Sequence, residues 1–271
     1  MERAELVAVE LWTERRERAE VLLERYPFAA ELLRLYLALV DVQERAFVAA
    51  RSDEPEPAQL ATYIAEHVLH RVVDATVAQG PKELGAAARE RLAAGHLDEL
   101  VAGWLRGEEQ SDIDRYLGRA ACAPLLEAMG ERAGLACHRS RDEQGRRGEH
   151  CPICGSLPQL AYFEATGDDL VTAPRRLLCA RCAHAWIFPR LTCAGCGETA
   201  DDRLIVYAET ERFPHIRVDA CATCRRYLLT VDLRKAPDAV PIVDELAALP
   251  LDLYAQDRSL SKITVNMMGI G

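Results

Sequence analysis

Cys151-Pro-Ile-Cys-Gly155, Cys179-Ala-Arg-Cys182, Cys193-Ala-Gly-Cys-Gly197 and Cys221-Ala-Thr-Cys224 divide the later part of the chain into two like units. A shift of 42 residues carries Cys151 onto Cys193, Cys154 onto Cys196, Cys179 onto Cys221 and Cys182 onto Cys224. Gly155 then falls on Gly197 and Arg175 on Arg217. Each unit reads Cys-x-x-Cys-Gly, with 24 residues between its second and third cysteines, and then Cys-x-x-Cys. Self-similarity at a fixed period marks a repeated structural unit.

Two residues between cysteines let both thiolates reach one ion while turn N–H groups point at the sulfurs, and the following glycine supplies a dihedral that tight turns need. Two such knuckles complete a tetrahedral shell of four sulfurs. Cys151, Cys154, Cys179 and Cys182 form one expected site, and Cys193, Cys196, Cys221 and Cys224 the other. The ten residues between Cys182 and Cys193 would also let the middle two pairs meet, but the repeat favours the tandem pairing. Tetrahedral sulfur suits zinc or a single iron, and the spacing does not separate them.

A divalent ion with four thiolates carries a formal charge of about −2, which nearby cations can offset. Arg175, Arg176, Arg181, Arg190, Arg217, Arg225 and Arg226 lie beside or between the knuckles, where the plainer reading of any one is a surface charge. None is assigned a catalytic role. Trp186, Phe188, Tyr162 and Tyr227 are expected to form a small apolar core around the knuckles. A loop-rich unit of this size buries little apolar area, so metal is expected to contribute to its folding.

Upstream the composition changes. From Glu2 to about Leu135 the chain is rich in Ala, Leu, Glu and Arg, and Phe28, Leu32, Leu35, Tyr36, Leu39 and Val42 recur at helical spacing. Breaks at Tyr26-Pro27, Pro55/Pro57, Gly80-Pro81 and Gly107 to Ser111 divide it into five or six expected helices. The expected organisation is an α-helical domain over 1–138, a linker over 139–150, metal-binding repeats over 151–192 and 193–234, and a C-terminal helix and tail over 235–271. Short β-favouring runs at 160–163, 204–208, 216–218 and 227–231 alternate with loops in the repeats. The fold class is therefore multi-domain α and β: a helical bundle followed by two tandem zinc-ribbon-like units. Helical spacing returns over 243–255, interrupted by Pro250, and 264–271 carries no readable pattern.

The formal charge is −10. An acidic chain without a Lys/Arg block lacks the footprint of a phosphate-binding protein, so nucleic acid is not an expected partner. No 18-residue apolar run and no apolar leader segment is present, which predicts no membrane span and a cytoplasmic location. The ten cysteines are better read as metal ligands than as a disulfide framework. Cys122 and Cys137, outside the repeats, are expected to be buried thiols. His67 and His70 are expected to be ordinary surface or partly buried histidines, and His150 and His184 adjoin sites that four cysteines already fill. No phosphate loop, nucleophile elbow or Ser/His/Asp order is found, and a closed sulfur shell leaves no position for substrate, so the chain is not expected to be an enzyme.

The knuckles in their context, Cys151-Pro-Ile-Cys-Gly-Ser-Leu-Pro158, Arg176-Leu-Leu-Cys-Ala-Arg-Cys182 with Trp186 and Arg190, Cys193-Ala-Gly-Cys-Gly197, and Cys221-Ala-Thr-Cys-Arg-Arg-Tyr-Leu228, resemble the bacterial formate dehydrogenase accessory (formation) protein family. Asp244-Glu-Leu-Ala-Ala-Leu-Pro-Leu-Asp252 with Ala255 is similar to its C-terminal helix pattern. The resemblance implies two rubredoxin-like units binding two metal ions, with iron favoured over zinc. It also implies a non-enzymatic maturation factor that binds the catalytic (alpha) subunit of formate dehydrogenase, with a homodimer left open. A rubredoxin-like electron carrier is the alternative function, and a zinc-ribbon nucleic-acid module a weaker one.

Overall fold

The computed structural model describes residues 2–137, 148–164 and 173–269, with the backbone alone for 2–9. Most of the expected linker, 139–147, lies outside the described residues. Two compact units result, Met1–Arg139 and Ser140–Gly271.

The first unit is helical: α1 (Glu2–Arg25), α2 (Ala30–Asp53), α3 (Leu60–His67), α4 (Leu69–Gln79), α5 (Lys82–Ala93), α6 (Leu97–Arg106), α7 (Asp112–Met129) and α8 (Ala133–Ala136). All four expected breaks fall between helices. The described residues hold more helices than the five or six expected. Helices α3 and α4 part at Val68, and α5 and α6 part at Gly95-His96, where Gly95 and His96 both take positive φ. Val68 is no helix breaker, so that parting had no sequence signal.

The apolar stripe of α2, with Leu33, Leu39 and Val40 fully buried, packs against α1, α4 and α7. Trp12 meets Phe47 edge to face with ring centroids 5.8 Å apart. Arg15 lies over the Trp12 ring and pairs with Glu127 through two bonds of 3.0 and 2.6 Å, so its buried charge is matched. Ser111 caps α7 by accepting from the Asp114 N–H.

Gly118 of α7 faces α6 so closely that an added Cβ would lie 2.8 Å from the Trp104 Cβ. Gly118→Ala is therefore expected to destabilise this unit by about 1–3 kcal/mol through overpacking, despite the better helix propensity of alanine. Urea unfolding followed by helical circular dichroism checks it; an unchanged or higher midpoint would refute the contact.

Among its described residues the second unit forms one sheet of seven strands with two α-helices. Its elements are β1 (Pro158–Phe163), β2 (Arg175–Cys179), β3 (Ala185–Ile187), β4 (Leu204–Ala208), β5 (Ile216–Cys221), β6 (Arg226–Asp232), α9 (Pro241–Ala247), α10 (Leu249–Gln256) and β7 (Ser261–Lys262). The order is β3-β2-β1-β6-β5-β4, with β7 beside β6. Within each repeat the three strands are antiparallel, whereas β1 and β6 pair in parallel. The parallel pair follows from the repeat: three antiparallel strands leave the first and third running the same way. Placing two such units side by side in one orientation then joins the first strand of one to the third strand of the other.

The helices α9 and α10 pack on the sheet, where Val218, Tyr227, Leu229 and Val231 are buried with Val243 and Leu246. Pro250 sits in the first turn of α10, where its missing N–H is tolerated, and the helices part at Ala248. No helix among the described residues is long and apolar enough to cross a membrane.

Candidate metal centres

The knuckles sit at strand ends. Cys179 and Cys221 close β2 and β5, while Cys151, Cys154, Cys193 and Cys196 lie on the loops that lead into β1 and β4. Each loop is held by a repeated pair of backbone bonds. Cys151 N donates to Ser156 O and Gly155 N to Cys151 O; in the second repeat, Cys193 N donates to Glu198 O and Gly197 N to Cys193 O. Gly155 and Gly197 take φ of 75° and 73°, the left-handed turn expected of them. The other two knuckles end in the same conformation without glycine, at Ala183 (φ 55°) and its counterpart Arg225 (φ 59°).

This backbone gathers the thiols by repeat. Cys151, Cys154, Cys179 and Cys182 form one group and Cys193, Cys196, Cys221 and Cys224 the other, with all sulfurs of a group within 4.8 Å of one another. The Sγ–Sγ separations are 3.7 Å for Cys151–Cys182, 3.3 Å for Cys154–Cys179, 3.7 Å for Cys193–Cys224 and 3.8 Å for Cys196–Cys221. A disulfide would need about 2.0 Å. A tetrahedron with metal–sulfur bonds near 2.3 Å has edges of about 3.8 Å, so both groups fit an ion of that kind. Arg181 N and Cys182 N point at Cys179 Sγ, and Gly195 N at Cys193 Sγ.

Burial pushes the Cys179 and Cys193 thiols up from their ordinary value. Four close sulfurs cannot all ionise without a cation, whereas a bound cation stabilises the thiolates and reverses that direction. The two groups differ in access. All four cysteines of the first are buried, but Cys196 is exposed and Cys224 half-buried in the second.

The surrounding residues are ordered by three polar networks. Trp186 donates to Gly148 O at 2.9 Å beside the first group. Arg175 and Arg217, equivalent in the repeat, converge on Asp219: Arg175 Nη2 lies 3.3 Å and Arg217 Nε 2.8 Å from its carboxylate. Thr230 donates to the same carboxylate. The third network explains the α9–α10 motif. Asp244 accepts from His215 Nε2 at 2.9 Å and from Val240 N at 2.8 Å, anchoring the start of α9. Glu245 accepts from Gln159 and lies 2.8 Å from Lys262 Nζ; Asp252 accepts from Tyr227 OH at 2.9 Å and lies 3.0 Å from the same Nζ.

Lys262, Asp219 and His215 carried no motif. The available signal was Asp244, Glu245 and Asp252, three acids on an otherwise apolar helical stretch, which demands buried partners. Tyr162 is half-buried, while Trp186, Phe188 and Tyr227 are buried. Cys122 and Cys137 are buried in the helical unit. His67 is exposed with its ring tilted against that of Tyr63, and His70 is exposed on the next helix.

Residues 191–268 match the model of the FdhE C-terminal domain, a span holding the second sulfur group, α9, α10 and β7 but not the first group. The Protein FdhE homolog of Aquifex aeolicus is 35% identical over 170 residues, 63% of this chain and 57% of the homolog. The match thus spans little more than half of that relative. The Protein FdhE homolog of Serratia proteamaculans is 26% identical over 232 residues, 84% of this chain and 73% of the homolog. The crystal structure of the FdhE protein from Pseudomonas aeruginosa has a TM-score of 0.66 at 22% identity, covering 96% of this chain and 95% of that one, which supports a shared fold. The chain is similar to FdhE proteins, and its residues 191–268 match the FdhE C-terminal domain.

Proposed function

We propose that this chain is a cytoplasmic accessory factor for the maturation of formate dehydrogenase, acting by binding the catalytic subunit rather than by turnover. The observation that carries this reading is the match to FdhE proteins over both the sulfur-rich region and the α9–α10 motif. Eight cysteines, Cys151, Cys154, Cys179, Cys182, Cys193, Cys196, Cys221 and Cys224, hold two metal ions in this reading, with iron favoured and zinc the other candidate. Four sulfurs fill a tetrahedral shell, so such an ion organises the protein and offers no open position for substrate.

Affinity capture with the tagged chain is expected to recover the catalytic subunit of formate dehydrogenase, and deletion of its gene to abolish most formate oxidation. Undiminished formate oxidation together with failure to recover that subunit would refute the proposal.

One observation favours a second reading, electron transfer by rubredoxin-type iron. Cys196 is exposed, bringing the edge of the second group to the surface. A reversible redox wave from an iron-loaded chain supports this reading, and zinc as the native metal excludes it.

A further inference from the structure

We propose that the junction of the two repeats holds an oxyanion-binding pocket for a carboxylate or phosphate group carried on a short aliphatic chain. A cavity of about 310 Å³ opens there, with Arg175, Arg190, Arg217 and Arg226 in its wall and Val206 and Leu228 among its apolar lining. That volume lies at the small end of ligand pockets.

The arginines come from four separate places: the start of β2, the segment between β3 and β4, β5 and β6. Two aspartates, Asp201 and Asp219, face the four arginines. Asp201 is exposed, where solvent screens it, and Asp219 is held by both Arg175 and Arg217. Cys193 of the second sulfur group also lines the wall, and four guanidinium groups against two carboxylates and this one thiolate still leave positive charge in excess. The wall groups are fixed: Arg190 donates to Ala173 O, Arg226 to Gly195 O, and Arg175 to the carbonyls of Pro189 and Thr192.

A second observation points to a ligand. Arg175 is 3% exposed, yet its Nε is buried without a hydrogen-bond partner. Its charge is balanced by Asp219, which it shares with Arg217, and an anion in the cavity adds the electrostatic compensation that one shared carboxylate does not supply. The apolar lining, including Val206 at 53% exposure, accounts for the aliphatic portion. Arginines serving only to balance the thiolate charge would not require that apolar mouth.

The test is calorimetric titration of the full metal-loaded chain with inorganic phosphate and with 4-methylpentanoate at constant ionic strength. Saturable binding is expected, weakened about tenfold by Arg190→Gln, which removes one charged donor. Val206→Glu, which sets a like charge at the mouth, is expected to weaken it as well. Both positions are exposed, and metal content and circular dichroism verify the fold. Binding of one probe alone supports the pocket and identifies its oxyanion. Absence of saturable binding by either probe, or affinities unmoved in both variants, would overturn the proposal.

Discussion

Cys154→Ala is expected to leave one metal ion per chain instead of two and to unfold much of the sheet unit at temperatures where the parent chain is folded. Cys154 is 1% exposed and its sulfur lies 3.3 Å from that of Cys179, so its loss opens a closed shell rather than trimming a surface group. Structural four-ligand sites contribute roughly 10–16 kcal/mol of apparent binding energy, comparable with or larger than the roughly 5–15 kcal/mol that holds a whole domain folded. The strands on either side depend on the knuckles for their ends, since Cys179 is both a cluster member and the last residue of β2. A chelator is expected to act in the same direction on the parent chain, with the sheet unit loosening before the helical one. Metal analysis with thermal melting measures both effects. Two ions still bound to the variant, with an unchanged melting temperature, would refute ligation by Cys154. Acid should mimic the chelator, because the thiols must lose their protons to bind and protonation therefore competes with metal.

The two four-cysteine groups were legible in the sequence because a knuckle is local. Its two cysteines lie within one turn of chain, and a 42-residue repeat showed which pairs are equivalent. The helical unit was legible for a similar reason, since proline and glycine mark breaks that neighbouring residues alone decide. What escaped depends on distant partners. Strand β2 begins Arg175-Arg176, a poor apolar run, and Arg175 is buried only because Asp219 and the carbonyls of Pro189 and Thr192 receive it. Strand β3 has three residues, and β7 has two that are ordered by pairing with Arg226 and Tyr227. Joining the repeats into one sheet was equally hidden, since Ala161 of β1 meets Thr230 of β6 from the far end of the next repeat, with no pairing signal in either strand. Left-handed turns at Ala183 and Arg225 could be inferred only from their counterpart positions, because neither residue is a glycine.

Lys262→Met is expected to destabilise the sheet unit by about 3–5 kcal/mol, the usual cost of removing one partner from a buried ion pair. Lys262 Nζ lies 2.8 Å from Glu245 and 3.0 Å from Asp252, and all three side chains are fully shielded from solvent. Two carboxylates against one ammonium already leave a buried negative charge, and burial followed by the neighbouring Glu245 pushes the Asp252 carboxyl up from its ordinary value, against the pull of Lys262. Removing the lysine takes away the cation that opposes that rise, so the folded-state affinity of Asp252 for a proton increases further. The folded variant then binds more protons than its unfolded chain, and its stability falls as pH rises through the raised value. The loss relative to the parent should therefore be larger at about pH 8 than at about pH 6, a comparison in which metal loss affects both chains alike. Chemical denaturation at the two pH values measures it. Adding Glu245→Gln and Asp252→Asn to Lys262→Met should recover much of the stability and flatten the pH dependence, because no buried charge remains. Equal losses at both pH values, unaltered by the two amide substitutions, would show that Lys262 acts through packing of its aliphatic stem and not through its charge.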